Sequence, residues 1–326
     1  MSINGSKENY LSLKIFIEIP TWLGDAVMST PAIENIVEHY KDCQITLFGS
    51  KVSTQALAKH PNVVNIIEDN SKKSGFRYYN LFKLAKSLER FDIAISFRRQ
   101  WSSKFLIWNI GAKQKGVYQR LTKKIQHQVQ HYNDFINSLL NTQYSPKKLK
   151  LYYQPKKYQN PTLGINPGAT YGSAKRWYPE KFAEVAAKFS SDYDIVIFGG
   201  PSEVQIAHEI VQTLDSIGVK NYQNYAGKTS VAKLITLIGG LDLFITNDSG
   251  PMHVAAAYQV PTISIFGPTK SSETSQWKNA KGVIVTKNLS CSPCMKRVCP
   301  LHTHECMKTI EPEDILKAYQ TILQMR

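Results

Sequence analysis

The segment "TNDSGPMHVAAA" (246–257) follows the apolar run "LDLFI". Asn247, Asp248, Ser249 and Gly250 therefore crowd the C-terminal end of an expected strand, just before a helix that carries His253. Asp, Ser and Gly suit a helix N-terminus and Pro251 suits its first turn, so an ordinary capped helix is one reading. An anion site is the other. Free backbone N–H groups and the positive end of the helix dipole attract negative charge, at the strand ends where open α/β sheets bind ligands.

Three further loops sit at equivalent strand ends. In "IPTWLGDAVMSTPAI" (19–33), Gly24 permits a tight turn, and Asp25 is either a helix N-cap or a carboxylate base facing a cleft. In "NPGATYGSAKRWYPEKFAEVA" (166–186), small residues precede a helix near Pro179. Its spacing is not that of a P-loop. Thr170 and Lys175 can still reach phosphate oxygens, Lys175 as a point charge; plain surface charge is the alternative. In "FGGPSEVQIA" (198–207), Gly199 and Gly200 leave the backbone bare, and Glu203 either accepts two sugar hydroxyls or only favours the helix dipole. Together the four loops describe a cleft for a nucleotide sugar, its diphosphate held by backbone, hydroxyl and lysine groups.

The elements that must position these loops alternate. "KIFIEI", "QITLFG", "VVNIIE" and "FDIAISF" read as strands in the first half, with helices over 26–40, 53–59 and 79–89. "TLGINPG", "DIVIFGG", "LDLFITN" and "TISIFGP" read as strands in the second, with helices over 179–190, 202–216, 230–239 and 251–258. This βαβα order implies parallel sheets covered on both faces. The alternation breaks over 141–161, which is rich in proline and lysine and reads as a linker. The expected division is therefore residues 1–155, a Rossmann-like acceptor domain, and 156–326, a Rossmann-like nucleotide-sugar domain. The C-terminal helix in "EPEDILKAYQTILQMR" is placed either on the second domain or back on the first.

The 326 residues carry a net charge of +15. Between Arg77 and Lys157 there are 17 basic and 3 acidic residues, a net of +14, so nearly all the excess lies in one stretch. Such a surface suits nucleic acid, an anionic membrane or a phosphorylated substrate, or is simply a solvated face. No apolar run reaches the roughly 18 residues of a membrane span, and the N-terminal stretch lacks a signal-peptide pattern, so a cytoplasmic protein is expected. Within "SFRRQWSSKFLIW" (96–108), Arg98 and Arg99 end a strand and can hold anions bidentately. Trp101, Phe105 and Trp108 read as core residues, a lipid-facing placement being the alternative. "DYD" (192–194) matches an acidic metal pair but precedes its strand, so it lies at the wrong end of the sheet. Cys291, Cys294, Cys299 and Cys306 are spaced C-x₂-C-x₄-C-x₂-H-x-H-x-C and fit either a structural zinc site or free thiols in a packed loop.

The blocks "PTWLGDAVMSTPAI", "NPGATYGSAKRWYPEKFAEVA" and "NDSGPMHVAAAYQVPTISIFGPT" resemble the signatures of glycosyltransferase family nine, the lipopolysaccharide heptosyltransferases. "CSPCMKRVCPLHTHECM" resembles the heptosyltransferase II branch. The resemblance implies a GT-B fold, two Rossmann-like domains facing across a cleft, with metal-independent, inverting transfer and no cofactor. It implies an ADP-heptose donor, a lipopolysaccharide inner-core acceptor on Kdo–lipid A, and work at the cytoplasmic face of the inner membrane. The family's catalytic aspartate falls on Asp25, its phosphate-contacting lysine on Lys175 and its ribose-binding glutamate on Glu203. Its Asp-Ser/Thr-Gly-x-x-His block falls on Asp248, Ser249, Gly250 and His253. The rival expectations are a related transferase or epimerase using another nucleotide sugar, and a basic nucleic-acid-binding protein. The last lacks a stacking platform or recognition motif.

Overall fold

The structure, a computed structural model, describes residues 12–73 and 75–325. The stretch before Ser12, part of the N-terminal segment read for a signal peptide, lies outside the described residues. Five strands, β1 (Lys14–Glu18), β2 (Gln44–Gly49), β3 (Val63–Glu68), β4 (Phe91–Ser96) and β5 (Ala112–Val117), form a parallel sheet in the order β3-β2-β1-β4-β5. Six more, β6 (Thr162–Asn166), β7 (Asp194–Ile197), β8 (Tyr222–Asn224), β9 (Leu243–Asn247), β10 (Thr262–Ile265) and β11 (Gly282–Val285), form a second parallel sheet. Its order is β11-β10-β9-β6-β7-β8. Strand order reverses between β1 and β4 in one sheet and between β6 and β9 in the other, and such switch points open a crevice beyond the strand ends.

The inner strands of each sheet are buried on both faces, which is why they read as apolar runs, while the outer strands β3, β5, β8 and β11 are partly exposed. In β1, Ile15 and Ile17 face one layer and Phe16 the other, where it stacks on Phe48 and meets Phe91 edge-on. The layer beneath Ile15 and Ile17 continues without a break into Val196, Phe198 and Phe244 of the second sheet. Helix Leu23–Met28 of the first unit packs on helix Gly250–Ala257 of the second, so the two switch points are held against each other. Segment 141–161 contains no helix or strand.

Several local expectations change. The helix expected over 26–40 is two, Leu23–Met28 and Thr30–His39, with Pro31 in the first turn of the second. Helices Trp101–Asn109 and Gln128–Leu140 and strands β5, β8 and β11 are additional to the elements expected from the sequence. Helix Pro312–Gln324 packs on helix Pro179–Phe189 and on β10 and β11, burying Ile315, Ala318 and Ile322. Trp101 and Trp108 are exposed and Phe105 is half-buried, so the core placement expected for the two tryptophans does not hold: Ser102, Ser103, Leu106 and Ile107 face inward instead. Among the described residues, no helix is long and apolar enough to cross a membrane.

Candidate active site

A cavity of about 710 Å³ lies between the two switch points. The first unit contributes Trp22, Gly24, Asp25 and Met28, and the second contributes Thr170, Lys175, Glu203, Asp248, Ser249, Gly250 and His253. All four loops expected from the sequence therefore meet in one space. Helix Leu23–Met28 begins after Trp22, which occupies the N-cap position, so Asp25 is inside the first turn and caps nothing. Among the described residues, no hydrogen bond to its carboxylate is found. Burial pushes Asp25 up to about 6, Lys175 pulls it back, and Asp248 adds a smaller upward push. An uncommitted carboxylate that titrates near neutrality is suited to proton abstraction.

Two glycines let the halves close on each other. A Cβ on Gly24 would stand 2.8 Å from Cδ2 of His253, and one on Gly250 would stand 3.0 Å from Cβ of Leu23. His253 is buried, and burial, with repulsion from His127 and Lys175, pushes it down to about 3, so its ring is neutral. Its Nδ1 has no hydrogen-bond partner among the described residues.

The opposite wall carries charges of both signs, Lys175 and Arg297 beside Asp248 and Glu203. Lys175 donates to Oδ2 of Asp248, and the Thr269 hydroxyl donates to the same oxygen. Lys175 Nζ also lies 4.6 Å from the centre of the Tyr171 ring, with the Arg297 guanidinium at 5.3 Å. Arg297 is brought there by the cysteine-rich loop, whose carbonyl at Arg297 accepts from Ala174 N–H at 3.1 Å. Gly172 makes this possible, because a Cβ there would stand 2.2 Å from the Arg297 carbonyl oxygen. Ser249 precedes helix Gly250–Ala257 without a side-chain cap bond; Pro251 has no N–H and Met252 N–H donates to the Ser249 carbonyl at 3.1 Å, which leaves the Gly250 N–H at the cavity. Glu203 is buried and accepts from Gly200 N–H at 2.7 Å through Oε2, with the bare backbone of Gly168 against its carboxylate. Tyr171, Thr269 and Arg297 were not singled out from the sequence. Arg297 stands among cysteines that read as metal ligands, and nothing local shows that their loop folds over the Gly172 turn.

Arg98 and Arg99 do not line the cavity. Arg98 turns inward to Glu18 at 3.1 Å and Asp69 at 3.7 Å, so it is not free to hold a ligand anion. Arg99 is exposed. Asp194 opens β7 at the end of the sheet away from the cavity. Cys291, Cys294, Cys299 and Cys306 line a space of about 20 Å³ together with His304, and none of them forms a disulfide. Among the described residues, no group of three or more His, Cys, Asp or Glu is arranged to hold a metal ion. Burial, with the neighbouring cysteines, pushes the Cys306 thiol up to about 11.

The sequence profile of Glycosyltransferase family 9 (heptosyltransferase) matches residues 81–304. The chain is 43% identical to lipooligosaccharide heptosyltransferase 2 of Campylobacter jejuni (serotype O:2), an alignment that spans 96% of this chain and 99% of that relative. It is 28% identical to lipooligosaccharide heptosyltransferase 2 of Haemophilus influenzae over 80% of this chain and 85% of the other. Its fold is that of a family 9 glycosyl transferase from Veillonella parvula, with a TM-score of 0.80 at 23% identity over 96% and 98% of the two chains. ADP-heptose LPS heptosyltransferase II of E. coli follows at 0.76 and 22% identity over 96% and 99%. The matched profile and the near full-length likeness to the Campylobacter enzyme show that the chain belongs to glycosyltransferase family 9, the heptosyltransferases, and is a two-domain GT-B glycosyltransferase.

Proposed function

We propose that the chain transfers L-glycero-D-manno-heptose from ADP-heptose to the first heptose of a lipopolysaccharide inner core, with inversion. The observation that carries this reading is the polarity of one cavity, with an uncommitted carboxylate at Asp25 facing Lys175, Arg297 and an open helix N-terminus. The names of the relatives support the heptosyl group and the acceptor class. In the step, the acceptor hydroxyl oxygen bonds to the anomeric carbon while its proton passes to Asp25. The bond from that carbon to the diphosphate oxygen breaks, and its electron pair leaves with ADP. Lys175, Arg297 and the Gly250 N–H stabilise the departing charge. Glu203 receives the ribose hydroxyls, His253 contacts the diphosphate as a neutral imidazole, and Thr170 adds a hydroxyl. Arg99 replaces Arg98 as the exposed cation for acceptor anions. The enzyme works on the cytoplasmic side of the inner membrane.

Incubation with ADP-heptose, UDP-sugars and a purified inner-core acceptor tests the reading. Transfer from ADP-heptose alone, with one inverted anomer by NMR and no loss in chelator, is expected. Transfer from a UDP-sugar, epimerisation without acceptor, or binding of polynucleotide alone would each overturn it.

Two variants test the donor wall. Hydrogen bonds to charged groups contribute about 1.5–3 kcal/mol, so Arg297→Ala should weaken ADP binding roughly 10- to 100-fold in calorimetry while Tm stays near wild type, because Arg297 is exposed. Gly168→Ala places a Cβ 2.0 Å from Cδ of Glu203 and must displace that carboxylate. Its ADP-heptose affinity should fall by about tenfold or more, and binding equal to wild type would remove Glu203 from the donor site.

A further inference from the structure

The surface farthest in character from the cavity is the outer face of two parallel-sheet crossover helices, Arg77–Ser87 and Trp101–Asn109. They pack on each other, joined by an edge-on contact of Tyr78 with Phe105 at 5.2 Å, and bury Leu81, Ala85, Leu106 and Ile107 against the sheet. Their outer positions carry large apolar groups. Trp101 is 78% exposed, Trp108 80%, Phe76 71% and Tyr79 64%. Packing does not account for aromatic side chains left in water on adjoining helices, and contiguous apolar surface of this kind marks an interaction site.

Charge identifies the partner. Neither helix contains a carboxylate, and none occurs anywhere from Ile93 through Asn133. Lys83, Lys86 and Lys104 stand among the rings, Lys104 over Trp101 at 4.8 Å and Lys86 over Phe82 at 5.5 Å, and none pairs with an acid among the described residues. Tryptophan and tyrosine favour the headgroup level of a bilayer, where an apolar ring and a polar edge are both satisfied, and lysine stems reach from that level to anionic headgroups. Each such lysine adds attraction to an anionic leaflet. Phe76 and Trp101 also sit at the helix ends next to the C-terminal ends of β3 and β4, the end of the sheet that faces the cavity.

We propose that this face docks the enzyme on an anionic lipid bilayer, with Trp101 and Trp108 seated at the headgroup level and Lys83, Lys86 and Lys104 on the lipid phosphates. The proposal deepens the reading of a lipid-borne acceptor by naming the surface that meets the membrane. Flotation of the full chain with vesicles of phosphatidylethanolamine and phosphatidylglycerol, against phosphatidylcholine alone, tests it without donor or acceptor. Wild type should float with the anionic vesicles and be released by salt. Trp101→Ser with Trp108→Ser, and separately Lys83→Gln, Lys86→Gln and Lys104→Gln together, should each lower vesicle affinity by about tenfold or more. Both variants should keep wild-type Tm and wild-type turnover on a lipid-free acceptor. Equal flotation of variants and wild type, absence of flotation, self-association abolished by the tryptophan changes, or binding of polynucleotide in place of vesicles would overturn the proposal. Because the assay contains no sugar nucleotide, its failure leaves the transfer reaction untouched, and loss of transfer with intact flotation would overturn only the latter.

Discussion

Asp25→Asn should lower turnover by about 10²–10⁴-fold, the usual effect of removing a general base, while ADP affinity stays within a small factor of wild type. The amide keeps the shape and cannot take the proton. A helix-cap role predicts no change, but Trp22 holds the cap position and Asp25 makes no capping bond. The wild-type rate should rise with pH through a limb near 6, the value to which burial pushes this carboxyl, and the limb should vanish in the variant. Stability carries an independent signature. The folded carboxyl holds its proton more tightly than the unfolded one, so native stability falls as pH rises from about 4 to about 6. A shift of this size is worth at most about 3 kcal/mol, less where water reaches the group. Asp25→Asn should therefore raise Tm at pH 8 and leave it nearly unchanged at pH 4. A variant that is inactive and more stable at alkaline pH marks a strained functional carboxylate. Turnover near wild type would remove Asp25 from the mechanism.

Arg98→Ala should destabilise the first domain by about 3–5 kcal/mol, the range for leaving one partner of a buried ion pair uncompensated. The side chains of Arg98 and Glu18 are only 9% and 3% exposed, and the Ser96 and Ser103 hydroxyls also donate to Glu18. Burial already holds the Glu18 carboxyl above its ordinary range, with Arg98 the largest opposing influence. Without Arg98 it rises further, so Glu18 protonates earlier on acidification. The deficit in denaturant unfolding should then be largest at alkaline pH and shrink as pH falls. Glu18→Gln added to Arg98→Ala should recover part of the loss, since the uncompensated charge is gone. If Arg98 instead holds acceptor anions, Arg98→Ala raises the acceptor KM with Tm unchanged. Arg99→Ala, at an exposed position, should show that pattern without any stability change.

Much of the architecture and of the cavity was legible from the chain alone, for local reasons. A strand buried on both faces must be largely apolar, so inner strands stand out as runs such as "KIFIEI" and "LDLFITN", and among the described residues eight of eleven strands were expected, the exposed β3 among them. Small and polar residues at their C-terminal ends then place Asp25, Lys175, Glu203 and the Asp248–His253 block at one edge of each sheet, because parallel strands share a direction. The basic character of 77–157 is likewise a property of composition.

Other features required the third dimension. Strand β5, "AKQKGV", is an edge strand whose lysines face solvent, so no apolar run announces it. Arg98 looks like a cation at a strand end until β1 and β4 pair with Glu18 opposite Ser96, which brings a carboxylate 80 positions distant in the chain within reach. Trp101 and Trp108 have the composition of core residues, and only the seating of Leu106 and Ile107 on the sheet turns them outward. Arg297 reaches the cavity wall because a loop 122 residues after Lys175 folds over Gly172. Sequence pattern reports which residues are buried and where elements end, since both depend on near neighbours along the chain. It does not report which charges meet or which face of a helix is left uncovered, because these are set by packing between segments far apart in the chain.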